Sequence, residues 1–198
     1  MMKFKILKKE ILYKGYFQLV RFYITHEKFA GGWVPEINRE ILERPNATAV
    51  LPYDPVTDSV VLIEQFRTGA IHSDSPWLIE IIAGIHDADE DAETVAKREA
   101  KEESGIELLD ICPIYEYFVS PGGSDEYLHL YCARVDASDV GGLHGLAHEH
   151  EDIRAFVVKA DEAFALIESK KIRNATSIIA LQWLQLNRER LRKLWQTK

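Results

Sequence analysis

The sequence predicts an α+β fold, a mixed domain that carries an all-β extension at its N-terminus. Three observations predict it. Between Leu12 and Phe66, apolar and aromatic residues recur in short β-rich runs separated by turn residues. Over residues 91–104 the apolar period becomes helical. After further β-rich runs the chain closes on two helical stretches.

Taken in order, Leu12, Tyr13, Tyr16, Phe17, Leu19, Val20, Phe22 and Ile24 read as a pair of strands ending near His26, interrupted by Gly15 as a turn or bulge. Ala30-Gly31-Gly32 is a second turn, and Trp33 to Leu42 a further strand. Pro45-Asn46 breaks the pattern. Thr48–Tyr53 and Ser59–Phe66 are strands flanking Asp54-Pro55-Val56-Thr57-Asp58, residues suited to a turn. One extended segment runs from Trp77 to Ala83 and stops at Gly84. The helix over 91–104 carries Ala92, Val95, Ala96 and Ala100 as its apolar stripe, with Gly105 as its stop. Strands follow at 112–119, 126–135 and 153–158. Asp161 caps a helix to about Glu168, and Asn174 caps a longer one whose Ile178, Ile179, Leu181, Leu184 and Leu191 face the core.

A chain of 198 residues suits one domain with a small N-terminal subdomain and buries a core without covalent staples. The net charge of -8 argues against general binding to nucleic acid or anionic membrane, which needs clustered Lys and Arg. A small anionic ligand needs only a few local cations. Cys112 and Cys132 lack metal or redox spacing and read as small buried hydrophobes. The start MMKFKILKKE has no signal-peptide apolar region, and no run reaches membrane-spanning length, so the expected location is the cytoplasm.

The chemistry concentrates in Gly84–Ile106. Glu99 and Glu103 are spaced i,i+4 and Glu102 lies i+3 from Glu99, so three carboxylates share about one turn of one helical face. Taken alone, that is most often a solvated acidic surface. Gathered on one spot, carboxylates repel each other and offer the hard oxygen ligands that Mg²⁺ or Mn²⁺ prefer. Gly84 precedes the loop, where a tight turn or close approach would need it. Arg98 neighbours the cluster, and Glu90 can pair with it to hold the loop on the helix.

The residues Gly84, Glu90, Arg98, Glu99, Ala100, Glu102, Glu103, Gly105 and Ile106 match every fixed position of the Nudix box, and the chain is identified by them as resembling the Nudix hydrolases. The resemblance implies the Nudix fold, a mixed β-sheet sandwiched between α-helices, in which Glu99, Glu102 and Glu103 with the carbonyl of Ala83 hold divalent cations. From Leu12 through Trp183 the chain resembles the bacterial ADP-ribose pyrophosphatases. Pro121, 15 residues after Ile106, stands in Ser120-Pro121-Gly122-Gly123. Gly145–Ile153 looks like that subgroup's acidic catalytic loop, and Asn174–Trp183 like its last helix.

That resemblance implies Glu149 as the base that takes a proton from water, with Glu151 as the runner-up or a water-mediated metal contact. Arg39, Arg67, Tyr16 and Ser120 are the implied substrate residues, Tyr16 packing on the adenine from a partner subunit. It also implies a homodimer that exchanges residues 1–46, with 47–198 as the catalytic domain. His144, His148 and His150 share one loop, but no HExxH spacing occurs and the resemblance favours oxygen-ligated Mg²⁺ over zinc. The implied reaction is hydrolysis of ADP-ribose to AMP and ribose 5-phosphate. ADP-glucose or GDP-mannose is the alternative substrate, and a non-catalytic ADP-ribose-binding module the distant one.

Overall fold

A computed structural model of the protein describes residues 1–87 and 89–195. The chain divides into two units, one of Met1–Asn46 with Tyr117–Leu128, the other of Ala47–Glu116 with His129–Lys198.

The first unit is built on an antiparallel sheet in the order β1 (Phe4–Lys14), β2 (Gln18–His26), β3 (Ile37–Glu43). Gly15 makes the first turn, its N–H donating to the Phe17 carbonyl at 3.0 Å. Tyr16 therefore sits in a turn rather than a strand, and is 86% exposed. The strand expected from Trp33 begins only at Ile37. Gly31 and Gly32 have positive φ, Pro35 has no N–H to give a ladder, and Trp33 makes a single bridge to Glu27. Segment 119–126 lies along the end of β3: the Leu42 N–H donates to the Gly123 carbonyl at 2.9 Å and the Arg44 N–H to Asp125 Oδ1 at 2.8 Å. Outer strand β1 leaves Phe4, Ile6, Leu7, Ile11 and Tyr13 exposed.

The eight-stranded sheet of the second unit joins β4 (Ala47–Asp54), β5 (Ser59–Phe66), β8 (Ile111–Phe118), β9 (Tyr127–Arg134), β10 (Gly142–His144) and β11 (Ile153–Lys159) in the order β10-β11-β5-β4-β9-β8. The segment Trp77–Ala83 is not one strand. It splits into β6 (Trp77–Glu80), which pairs with β5, and β7 (Ile82–Ile85), which pairs with β4. A segment that pairs with two different strands must step between them. Ile81 makes the step, and its N–H, which neither ladder uses, donates to Ser177 Oγ at 2.9 Å. Gly84 consequently lies inside β7 instead of ending it. Strand β10 has no counterpart in the sequence reading. It is short, and Gly141 before it and Gly142 at its start have positive φ, which hides it from an apolar-period search.

Helix α1 (Ala92–Ser104) starts at Asp91, whose carboxylate accepts the N–H groups of Glu93 at 3.1 Å and Thr94 at 3.0 Å. It stops at Gly105, which adopts φ 70°. Its Ala96 and Ala100 pack on Val50, Val61, Ile63, Ile82 and Ile153. Each large side chain buried here contributes about 1.5–3 kcal/mol. In α2 (Ala160–Glu168) Asp161 lies in the first turn instead of capping, and Glu162 accepts the Lys159 N–H at 3.4 Å. Helix α3 (Ala175–Trp195) is capped by Asn174, whose Oδ1 accepts the Ser177 N–H at 2.8 Å. It buries Ala180, Leu181, Leu184, Leu191 and Trp195, while Ile178 and Ile179 are half-buried.

The β4–β5 turn is tied to α3 through Asp58. This residue adopts φ 55°, accepts the buried Tyr53 hydroxyl at 2.6 Å and accepts Arg188 Nε at 2.9 Å. The Arg188 bonds, and then the Tyr53 hydroxyl, hold the Asp58 carboxyl below its ordinary range. Its stabilising effect is therefore complete above the unfolded pKa of about 3.9 and lost as pH falls through the lower folded value. Asp58→Asn is expected to cost about 1–3 kcal/mol in urea melts at pH 7. The gap to wild type should stay constant down to about pH 5 and close below about pH 4.

Candidate metal and diphosphate site

The α1 carboxylates are held against the backbone of β7. Glu103 is 3% exposed and accepts the Ala83 N–H at 3.1 Å. Glu99 lies across Gly84 so closely that a Cβ there would overlap its carboxylate. Gly84 is thus required by close approach, with no left-handed backbone involved.

Arg98 is the internal cation. Its Nε and one Nη donate to the two oxygens of Glu90 at 3.1 and 2.9 Å, and that Nη also donates to the Ile85 carbonyl at 3.1 Å. The other Nη donates to Glu99 at 2.5 Å and Glu102 at 3.2 Å. Glu90 in turn accepts the Asp87 N–H at 3.2 Å, which secures the loop before the helix. This is the Glu90–Arg98 pair that the spacing suggested.

Burial pushes the Glu103 carboxyl well above the ordinary range. Glu99 and Glu151 add to the push, while the Ala83 N–H and Arg67 oppose it. Glu99 is raised too, by burial first, with Glu102 and Glu151 adding and Arg98 opposing. Buried oxygen donors that repel one another suit a hard divalent cation. Among the described residues no three acidic, His or Cys side chains already converge as a ligand set. Arg98 engages one oxygen each of Glu99 and Glu102.

The loop after β10 brings further carboxylates. The Gly145 N–H donates to the Glu102 carbonyl at 3.2 Å, fixing the loop to the end of α1. Gly145 has φ 98°, and a Cβ there would lie 2.8 Å from Glu151 Cβ. Glu151 accepts the Leu146 N–H at 3.4 Å and acts electrostatically on Glu99 and Glu103. Glu149 ends a short 3-10 turn, is largely exposed and lies 3.6 Å from His148. Arg67, just past β5, donates its Nε to Glu80 at 2.7 Å.

A family comparison decides what this arrangement belongs to. The NUDIX domain pattern matches residues 43–182, most of the chain. The chain belongs to the NUDIX domain family. Nudix hydrolases generally require divalent metal ions. Among similar proteins, an ADP-ribose pyrophosphatase of Escherichia coli strain K12 is 45% identical over 192 residues, 96% of this chain and 92% of the relative. One of Haemophilus influenzae is 43% identical over 196 residues, 97% and 90%. A GDP-mannose pyrophosphatase of Cronobacter sakazakii is 35% identical over 190 residues, 92% and 95%. A solved structure of an ADP compounds hydrolase superposes with a TM-score of 0.69 at 22% identity, covering 92% of this chain and 95% of that one, and so shares the Nudix fold.

The second unit therefore gathers Ala83, Glu99, Glu102, Glu103, Glu151 and Arg67 around one Nudix helix, with Glu149 on the adjoining loop. The first unit carries Tyr16, Arg39 and Ser120. Within it, Tyr16 stacks edge-on to Phe17 at 4.8 Å, and Phe17 lies 4.7 Å from the Arg44 guanidinium, which pairs with Glu126 at 3.0 Å. Tyr16 and the Ser120 segment thus share one end of that sheet. Arg39, opposite Phe22, is about 14 Å along β3 from Glu43, so the sheet does not gather it with them. Sequence reasoning missed Glu80, and placed Gly145 in the acidic loop without a role of its own. The signal for Glu80 was a lone acid inside the apolar run WLIEIIAG.

Gly84→Ala is expected to displace Glu99 and weaken Mn²⁺ affinity about ten-fold, as loss of support around a metal ligand does. Calorimetric titration with Mn²⁺ checks this. The melting temperature should change little, since the displaced carboxylate can swing outward.

Proposed function

We propose that this chain is a divalent-metal-dependent pyrophosphatase that hydrolyses ADP-ribose to AMP and ribose 5-phosphate. The observation that carries the reading is the half-buried Glu99 and the buried Glu103, pressed onto β7 at Gly84 and Ala83 within a complete Nudix box. The substrate follows the ADP-ribose pyrophosphatases, which are more similar to this chain than the GDP-mannose enzymes reported above.

In this reading Glu99, Glu102, Glu103 and the Ala83 carbonyl hold the cations, with Mg²⁺ or Mn²⁺ the ion. When bound, such cations neutralise the diphosphate and acidify the attacking water. Arg67 meets the phosphate oxygens with the bidentate fork that suits them. Glu149, on an exposed loop tip able to close over substrate, takes the proton from water. Glu151, already coupled to Glu99 and Glu103, touches the metal side. Tyr16, Arg39 and Ser120 contact the nucleotide, Tyr16 from the partner of a homodimer that exchanges residues 1–46. The exposed apolar side chains of β1 support a partnered first sheet.

The test is turnover of ADP-ribose, ADP-glucose and GDP-mannose with Mg²⁺ and again after EDTA, followed by chromatography. ADP-ribose should be the fastest, releasing AMP, and EDTA should abolish the reaction. Faster GDP-mannose cleavage would move the substrate and keep the chemistry. Ligand binding without turnover would make the chain a sensor. A second expected outcome concerns the base. Glu149→Gln should lower kcat at least a hundred-fold with KM nearly unchanged, the scale of lost general-base catalysis. Glu151→Gln should mainly shift the Mg²⁺ titration. The reverse pattern would exchange the two roles.

A further inference from the structure

Glu80 is an anomaly in its strand. It is the last residue of β6 and only 9% exposed, among Ile79, Ile81 and Ile82. A buried carboxylate is costly unless its charge is matched. Here one oxygen, Oε2, accepts both Arg67 Nε at 2.7 Å and Gln65 Nε2 at 3.4 Å.

The register explains the meeting. Glu80 stands opposite Ile63, and alternation along β5 puts Ile63, Gln65 and Arg67 on the same face. That face carries the core under α1, where Ile63 packs with Ala96 and Ala100. Across β5, Ile153 stands opposite Gln65, so the start of β11, two residues after Glu151, lies beside this end of β5. Both Arg67 and Glu151 act on the charge of Glu103. Arg67 thus has a buried anion behind it and the α1 carboxylates in front.

We propose that Glu80 is a positioning residue for Arg67, gripping the guanidinium by its Nε edge so that the two terminal nitrogens face the diphosphate. The inference rests on the reading of Arg67 as the diphosphate cation given above. A charge-assisted bond is about twice as strong as a neutral one, so an amide at position 80 keeps the shape and loses much of the grip. Bond and ion pair together hold a side chain that would otherwise sample many rotamers at the mouth of the site.

The experiment compares wild type, Glu80→Gln, Arg67→Ala and the double variant. ADP-ribose binding is measured by calorimetry in EDTA, where turnover is absent, with melting temperature alongside. Glu80→Gln should weaken binding about ten-fold while its melt stays within a few degrees. Arg67→Ala should weaken it more, and the double variant should match Arg67→Ala within about two-fold, because a residue that acts only through Arg67 has no effect without it. Binding by Glu80→Gln within two-fold of wild type, or additive losses in the double variant, would overturn the positioning role while leaving Arg67 in place. Unchanged binding by Arg67→Ala would instead remove the Arg67 reading and Glu80's role with it. If Glu80→Gln does not fold, Glu80→Asp carries the test. It keeps the charge on a shorter stem and should weaken binding about three-fold, and wild-type affinity would overturn the proposal.

Discussion

The site depends on one close packing: the carboxylates of α1 rest on the backbone of β7. Glu99 occupies the space a side chain at Gly84 would need, and Glu103, buried on α1, accepts the Ala83 N–H. Crowding negative charge into a poorly hydrated place is costly. Arg98 supplies the compensating cation and, through Glu90, ties down the loop that leads into the helix. Asp91 and Gly105 fix where the helix starts and stops, so the three glutamates fall at the right turn.

Arginines divide the same labour across the second unit. Arg98 serves the helix, Arg67 the mouth of the site and Arg188 the β4–β5 turn. Each is held by a carboxylate at least partly shielded from water, where an ion pair is screened less than on an open surface. This pattern fits a chain whose net charge is -8. Positive charge is placed residue by residue instead of being spread over a surface.

Much of this was legible in the sequence, because it rests on local rules. The extent of α1 over 91–104 and its one-face carboxylates follow from helical spacing, the stop at Gly105 and the Asp54–Asp58 turn from residue type. What escaped was set by tertiary pairing. The step at Ile81 exists because two different strands claim one segment, which no apolar period records. The delay of β3 to Ile37 follows from Pro35 and two positive-φ glycines acting together. Glu80 passed unremarked inside the run Trp77–Ala83, and the pairing of β5 with β6 brings it to Arg67. Gly145 was read as the start of the acidic loop, without the positive φ and the contact with Glu151 that fix its place.

The step at Ile81 has a consequence for how the protein is made. Its N–H is taken by Ser177 Oγ, and the Ile79 carbonyl accepts Asn174 Nδ2 at 3.1 Å, so the start of α3 seals the joint between β6 and β7. The ribosome delivers both strands and the glutamate helix about 70 to 100 residues before Asn174 and Ser177, several seconds at ordinary elongation rates. During that interval the floor beneath the carboxylates lacks two of its hydrogen bonds, and the nascent chain acquires its working face only when the last helix docks.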